Sequence, residues 1–130
     1  MGATNRSEEH EQARLIQWAS RPAVRAIAPE LAFLFHTPNG GKRDAFVGAQ
    51  MTALGVKRGV PDLLLPLQRN GHTGLAIEFK SLTGTTTPHQ DAFLSYLRSQ
   101  GWHTAIARTA EQGQHILAQY VHEQLAGIVL

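Results

Sequence analysis

Val60-Pro61-Asp62-Leu63-Leu64-Leu65-Pro66 and Leu75-Ala76-Ile77-Glu78-Phe79-Lys80-Ser81 are two short apolar runs with charges set into them. Between them lies Gln68-Arg69-Asn70-Gly71-His72-Thr73-Gly74, and Asn70-Gly71 is a strong signal for a two-residue hairpin turn. The pair therefore predicts two antiparallel strands. Side chains of a strand alternate between its faces, so Glu78 and Lys80 project from one side and Ile77 and Phe79 from the other. Strand propensity asks for neither a carboxylate nor an ammonium inside such a run. A buried unpaired charge is costly, so these groups must be paired, solvated in a cleft or bound to a metal.

Downstream of the hairpin, Thr87-Pro88-His89-Gln90 reads as N-cap, N1 proline and capping-box glutamine. It opens a helix that carries Phe93, Leu94 and Leu97 and stops at Gly101. Trp102 to Thr109 predicts a strand. Thr109-Ala110-Glu111-Gln112 predicts a second capping box, opening a last helix that runs through Tyr120, Val121 and Leu125.

Upstream, Met1 to Arg6 is expected to be frayed, with Ser7 as N-cap of a helix reaching about Ala19. On that helix Glu11, Leu15 and Trp18 fall at i, i+4 and i+7, so Glu11 continues the apolar stripe. It could equally be a first-turn glutamate that complements the helix dipole. Leu31 to His36 predicts a strand, which Thr37-Pro38-Asn39-Gly40-Gly41 breaks. A helix from about Asp44 to Leu54 places Val47, Met51 and Leu54 on one face, with Gly55 as its C′ residue. A hairpin followed by a strand–helix–strand crossover predicts an α/β fold: a mixed sheet with helices on both faces.

The 130 residues suit one domain, spanning 1–130. A hydrophobic fraction of 42% excludes a disordered chain, and no apolar run reaches the roughly 20 residues that span a bilayer. The N-terminus lacks the apolar core of a secretory signal, so the expected location is cytoplasmic. With no cysteine, disulfides, thiol catalysis and thiolate zinc sites are excluded, and any metal must sit on oxygen or imidazole. The net charge of +2 is compatible with nucleic acid without demanding it, because where the basic residues lie matters more. Lys42-Arg43 and Lys57-Arg58 flank one predicted helix, and with the exposed amides of Asn39, Gly40 and Gly41 they are the candidates for contacting a phosphate backbone.

Asp62 and Glu78 lie on neighbouring strands, so their carboxylates can converge across one strand spacing of roughly 4.8 Å. Like charges that close repel unless a cation separates them, and an all-oxygen set suits Mg²⁺ or Mn²⁺. The backbone carbonyl of Phe79 is a further candidate ligand. Lys80 can hold a water or steady developing negative charge. Such a set suits phosphodiester hydrolysis, whereas an internal carboxylate–lysine ion pair would be its purely structural counterpart. The seven histidines show no spacing that points to a zinc hydrolase, although His36 could face the site.

Pro61-Asp62 followed by Glu78-Phe79-Lys80 resembles the PD-(D/E)xK nuclease signature. Its surroundings narrow the likeness: His36-Thr37-Pro38-Asn39-Gly40-Gly41, Gly55 to Leu63, Gly74 to Lys80, and Gln90 followed by Gly101 together resemble the VRR-NUC (virus-type replication and repair nuclease) family. The resemblance implies a restriction-endonuclease-like core and Mg²⁺- or Mn²⁺-dependent cleavage of DNA, at branched structures such as Holliday junctions, by a homodimer. It also implies a setting in a bacterial cell or a phage-infected host. Asp62, Glu78 and Lys80 match the family's catalytic trio, Glu11 its acid on the first helix, with Glu8 and Glu9 as rivals, and Gln90 a glutamine beside the active site. Glu11, Asp62 and Glu78 would then bind the metal. A restriction-type or linear-end nuclease, and a non-catalytic DNA-binding module with the same fold, are the alternatives.

Overall fold

The computed structural model describes residues 2–38 and 45–130, giving only the backbone course for 2–7 and 45–46. The expected glycine-rich corner at Asn39, Gly40, Gly41, Lys42 and Arg43 lies outside the described residues. Five helices are described, α1 (Gly2–Ala19), α2 (Pro22–Ile27), α3 (Ala45–Ala53), α4 (Pro88–Ser99) and α5 (Ala110–Tyr120), with four strands, β1 (Phe35–His36), β2 (Leu63–Leu65), β3 (Leu75–Phe79) and β4 (His103–Ala107). Among the described residues no helix is long and apolar enough to cross a membrane.

The sheet runs β1-β2-β3-β4, antiparallel except for the parallel β3–β4 pair, which the α4 crossover requires. The sheet is mixed, as expected. Asn70 (φ 54°) and Gly71 (φ 80°) both take left-handed backbone, the signature of a type I′ turn, and Arg69 and His72 exchange backbone hydrogen bonds across it. The strands are shorter than the apolar runs. Pro61 and Pro66 have no N–H to give a ladder, so β2 shrinks to three residues and Asp62 sits just ahead of it.

Leu63, Leu65, Leu75, Ile77 and Phe79 line one face of the sheet and are fully buried with Leu15 and Trp18 of α1 and Leu117 of α5. Each such side chain contributes roughly 2 kcal/mol of transfer free energy. The two helices approach closely here, since a Cβ on Gly113 would lie 2.6 Å from Leu15 Cδ2. The opposite face carries α4. Its Leu94 and Leu97 are buried apart from that cluster, and its Arg98 donates to Thr104 Oγ1 on β4.

Three expectations are corrected. Helix α1 begins at Gly2, so Ser7 lies inside it, because no proline or interior glycine interrupts residues 3–7. The strand expected from Leu31 is a 3-10 turn at Pro29–Phe33, started by a proline at its first position, and only Phe35–His36 pairs with β2. The last helix ends at Tyr120, and a second 3-10 turn, Glu123–Gly127, follows with His122 Nδ1 as its cap. That turn tucks Leu125 into the protein's own core, where Gln114 donates to the Leu125 and Ile128 carbonyls. Beyond it Ile128 and Leu130 pack partly buried against the core, while Val129 is exposed. Val47 on α3 and Leu54 just after it are exposed, Leu54 87% so. Gly55 (φ 102°) ends that helix as expected, with Val56 N–H closing back onto the Met51 carbonyl.

Candidate active site

Register brings the two acids together. Leu63 pairs with Ile77 and Leu64 with Ala76, so one further step sets Asp62 opposite Glu78, on the face away from the apolar cluster. Asp62 reaches across to β3, where Phe79 N–H donates to its Oδ2 at 2.8 Å. Glu78 is 2% exposed and Lys80 8%. Lys80 Nζ stands 3.8 Å from Glu78 Oε2, and Gln90 Nε2 donates to the same oxygen at 2.8 Å.

Gln90 caps α4 and also touches Glu78. Its Oε1 accepts from Thr87 N–H, its own N–H donates to Thr87 Oγ1, and its Nε2 is still free to hold Glu78. The start of α4 is set by close packing against the loop ahead of β2. Gly59 (φ 79°) lies so near that a Cβ there would meet the His89 carbonyl at 2.5 Å. Only glycine meets both demands, the positive φ and the contact.

Among the described residues the two carboxylates are short of positive charge. Burial, reinforced by Asp62, pushes the Glu78 carboxyl up to about 8, against the pull of Lys80. Burial also raises Asp62, opposed by the Phe79 N–H and by His36. Glu78 Oε1 is buried and has no hydrogen-bond partner among the described residues. In a native interior such an orphaned oxygen needs an explanation, and a cation between two acids supplies one. The donor set thus fits a hard, oxygen-liganded divalent ion.

Of the acids on α1, Glu8 and not Glu11 faces the Asp62–Glu78 pair. Glu11 turns to α5, where its Oε1 accepts from Ala110 N–H at 2.8 Å and from Arg14 at 2.9 Å, and Arg14 continues to Glu111. It does complement a helix N-terminus, but that of another helix. Glu8, one turn earlier, points to the site: its Oε2 accepts from Ser81 N–H at 3.1 Å, next to Lys80, and its charge adds to the upward shifts of Asp62 and Glu78. Gln12, one turn after Glu8, lies 2.9 Å from His36 Nδ1, which is also 2.9 Å from the Asp62 carbonyl oxygen. Nothing in the sequence marks Gln12 for this contact beyond its i+4 spacing from Glu8. Among the described residues no three His, Asp or Glu side chains form a ready-made metal cluster.

Lys57 and Arg58 are exposed in the loop between α3 and β2. His72 packs with His103 at 5.1 Å between ring centroids, and His103 stacks on Tyr120, so this trio serves the hairpin end of the sheet.

The VRR-NUC domain model matches residues 6–111. The chain belongs to the VRR-NUC family. A solved structure of a VRR_NUC domain protein is 26% identical, with a TM-score of 0.72 over 88% of this chain and 87% of that one. No curated protein matches the chain. This VRR-NUC domain is thus of a nuclease family, and its mixed sheet and flanking helices are consistent with the restriction-endonuclease-like fold.

Proposed function

We propose that this VRR-NUC protein is a Mg²⁺- or Mn²⁺-dependent DNA endonuclease that acts as a homodimer on branched DNA such as four-way junctions. The observation that carries the reading is the half-buried Asp62 opposite the buried Glu78, whose Oε1 is unpartnered among the described residues, set beside Lys80 in a chain of a nuclease family. Asp62, Glu78 and the Phe79 carbonyl would hold the ion, with Glu8 taking the place first given to Glu11. When bound, a divalent ion lowers the pKa of a water and polarises the phosphoryl oxygen.

The protein's own groups do the rest. Gln90 fixes the Glu78 carboxylate through one oxygen, and Phe79 N–H fixes Asp62. The Lys80 ammonium orients the attacking water or steadies the charge that builds on the phosphate. Water attacks phosphorus in line and the P–O3′ bond breaks, leaving a 5′-phosphate and a 3′-hydroxyl. Lys57 and Arg58, with Asn39, Gly40, Gly41, Lys42 and Arg43, supply backbone contacts that position the strand without reading its sequence.

The test compares four-way, flap and linear duplex DNA in Mg²⁺, in Mn²⁺ and in EDTA, with Asp62→Ala alongside and a solution mass for the oligomer. Metal-dependent cutting of junctions by a dimer, lost in Asp62→Ala, supports the reading. A monomer that prefers linear ends would sink the junction assignment, and binding without metal-dependent cutting would favour a non-catalytic module.

A further inference from the structure

We propose that His36 is a positioning residue for the acidic site, the node that keeps Glu8 on α1 in register with Asp62. The inference rests on the reading of Glu8, Asp62 and Glu78 as the ligands of a divalent ion. Besides its apolar contacts, helix α1 sends two polar side chains, one turn apart on the same face, to the ends of the sheet. Glu8 reaches Ser81 N–H beyond the end of β3, and Gln12 reaches His36 at the end of β1. His36 passes the connection on to Asp62, whose carbonyl lies 2.9 Å from the same Nδ1. Thr37 completes the seat: its N–H donates to the Asp62 carbonyl at 3.0 Å and its hydroxyl to the Pro61 carbonyl at 2.5 Å.

One ring nitrogen cannot accept and donate at once. With hydrogen on Nε2 the ring accepts from the Gln12 amide. With hydrogen on Nδ1 it donates to the Asp62 carbonyl, and Gln12 can turn its amide oxygen inward. In either tautomer the ring stands between the helix that brings Glu8 and the strand that brings Asp62. Outer partners of this kind set metal affinity through the ligands they orient, and losing one typically costs 10–100-fold.

The experiment measures Mn²⁺ binding directly, by titration calorimetry or by the electron paramagnetic resonance of free Mn²⁺, without DNA. His36→Asn, His36→Gln, His36→Leu and Asp62→Asn are compared with wild type, and circular dichroism in EDTA selects the folded variants. Asparagine carries its amide where Nδ1 sits and should stay within about twofold of wild-type affinity. Glutamine and leucine should weaken Mn²⁺ binding by about 10-fold or more. Should leucine prevent folding, Gln12→Leu breaks the same link from the helix side and should weaken binding to a similar degree. Wild-type affinity in His36→Leu or Gln12→Leu, while Asp62→Asn loses the ion, overturns the role of His36 alone. Equal losses in His36→Asn and His36→Leu overturn it in favour of simple packing. Wild-type Mn²⁺ binding in Asp62→Asn would remove the ligand assignment itself, and this inference with it.

Discussion

Replacing Glu78 with glutamine should flatten the pH dependence of folding stability in metal-free protein. Glu78 is 2% exposed, its Oε1 has no partner among the described residues, and its carboxyl is pushed up to about 8 from an ordinary 4.5. Between those values the folded protein keeps a proton that the unfolded chain has released, so stability falls as pH rises through the window and levels off above it. Each pH unit inside the window costs about 1.4 kcal/mol, which puts the loss from about pH 5 to about pH 8 near 4 kcal/mol at most. Asp62 is raised as well and shares the titration, so about 2–4 kcal/mol is the expected range. The assay is urea unfolding in EDTA across that pH range for wild type and Glu78→Gln. The difference between the two curves is the measurement, because the histidines titrate in both proteins and glutamine leaves Lys80 without its carboxylate. The variant should gain on wild type by about 2–4 kcal/mol over the window. Mg²⁺ at the upper end should restore wild type and leave the variant unmoved. Two parallel curves would refute the argument that this buried acid lacks a cation.

Exchanging the two candidate acids separates their tasks. Glu8→Gln should lower cleavage by about 10-fold or more. Glu11→Gln should leave cleavage near wild type and cost about 1 kcal/mol in unfolding free energy, for the lost contact with the start of α5 and with Arg14; the opposite pattern would reinstate Glu11. Gly59→Ala forces a Cβ onto the His89 carbonyl at a positive φ and should destabilise by on the order of 1–3 kcal/mol in urea, while displacing Gln90 and lowering turnover. Lys57→Gln with Arg58→Gln should weaken DNA binding for every sequence alike and flatten the slope of log affinity against log salt by about two; an unchanged slope would remove this doublet from the interface.

Much of this molecule is readable locally. The Asn70-Gly71 turn, the Thr87–Gln90 capping box and the helix stops at Gly55 and Gly101 each depend on a few neighbouring residues, and each is present. Asp62 and Glu78 are also legible, because a carboxylate in an apolar strand conflicts with its setting and the hairpin register sets one opposite the other. The strand expected at Leu31 fails for a local reason too, since Pro29 starts a 3-10 turn that apolar content alone does not reveal.

The acid on α1 is different. Glu8 and Glu11 are three residues apart, and both fit the stripe that a 3.6-residue period allows. Which one meets the sheet depends on how the helix is rotated. That rotation is set far away in sequence, where Leu15 and Trp18 are buried and Leu15 seats against Gly113, the glycine that lets α5 come close. The same docking brings Gln12 to His36 and frees Glu8 for Ser81. The sequence by itself determined the paired acids on their hairpin, because turn chemistry and strand alternation act over a few residues. Only the tertiary structure decided that Glu8 rather than Glu11 joins them, because the facing of a helix is fixed by packing between segments a hundred residues apart.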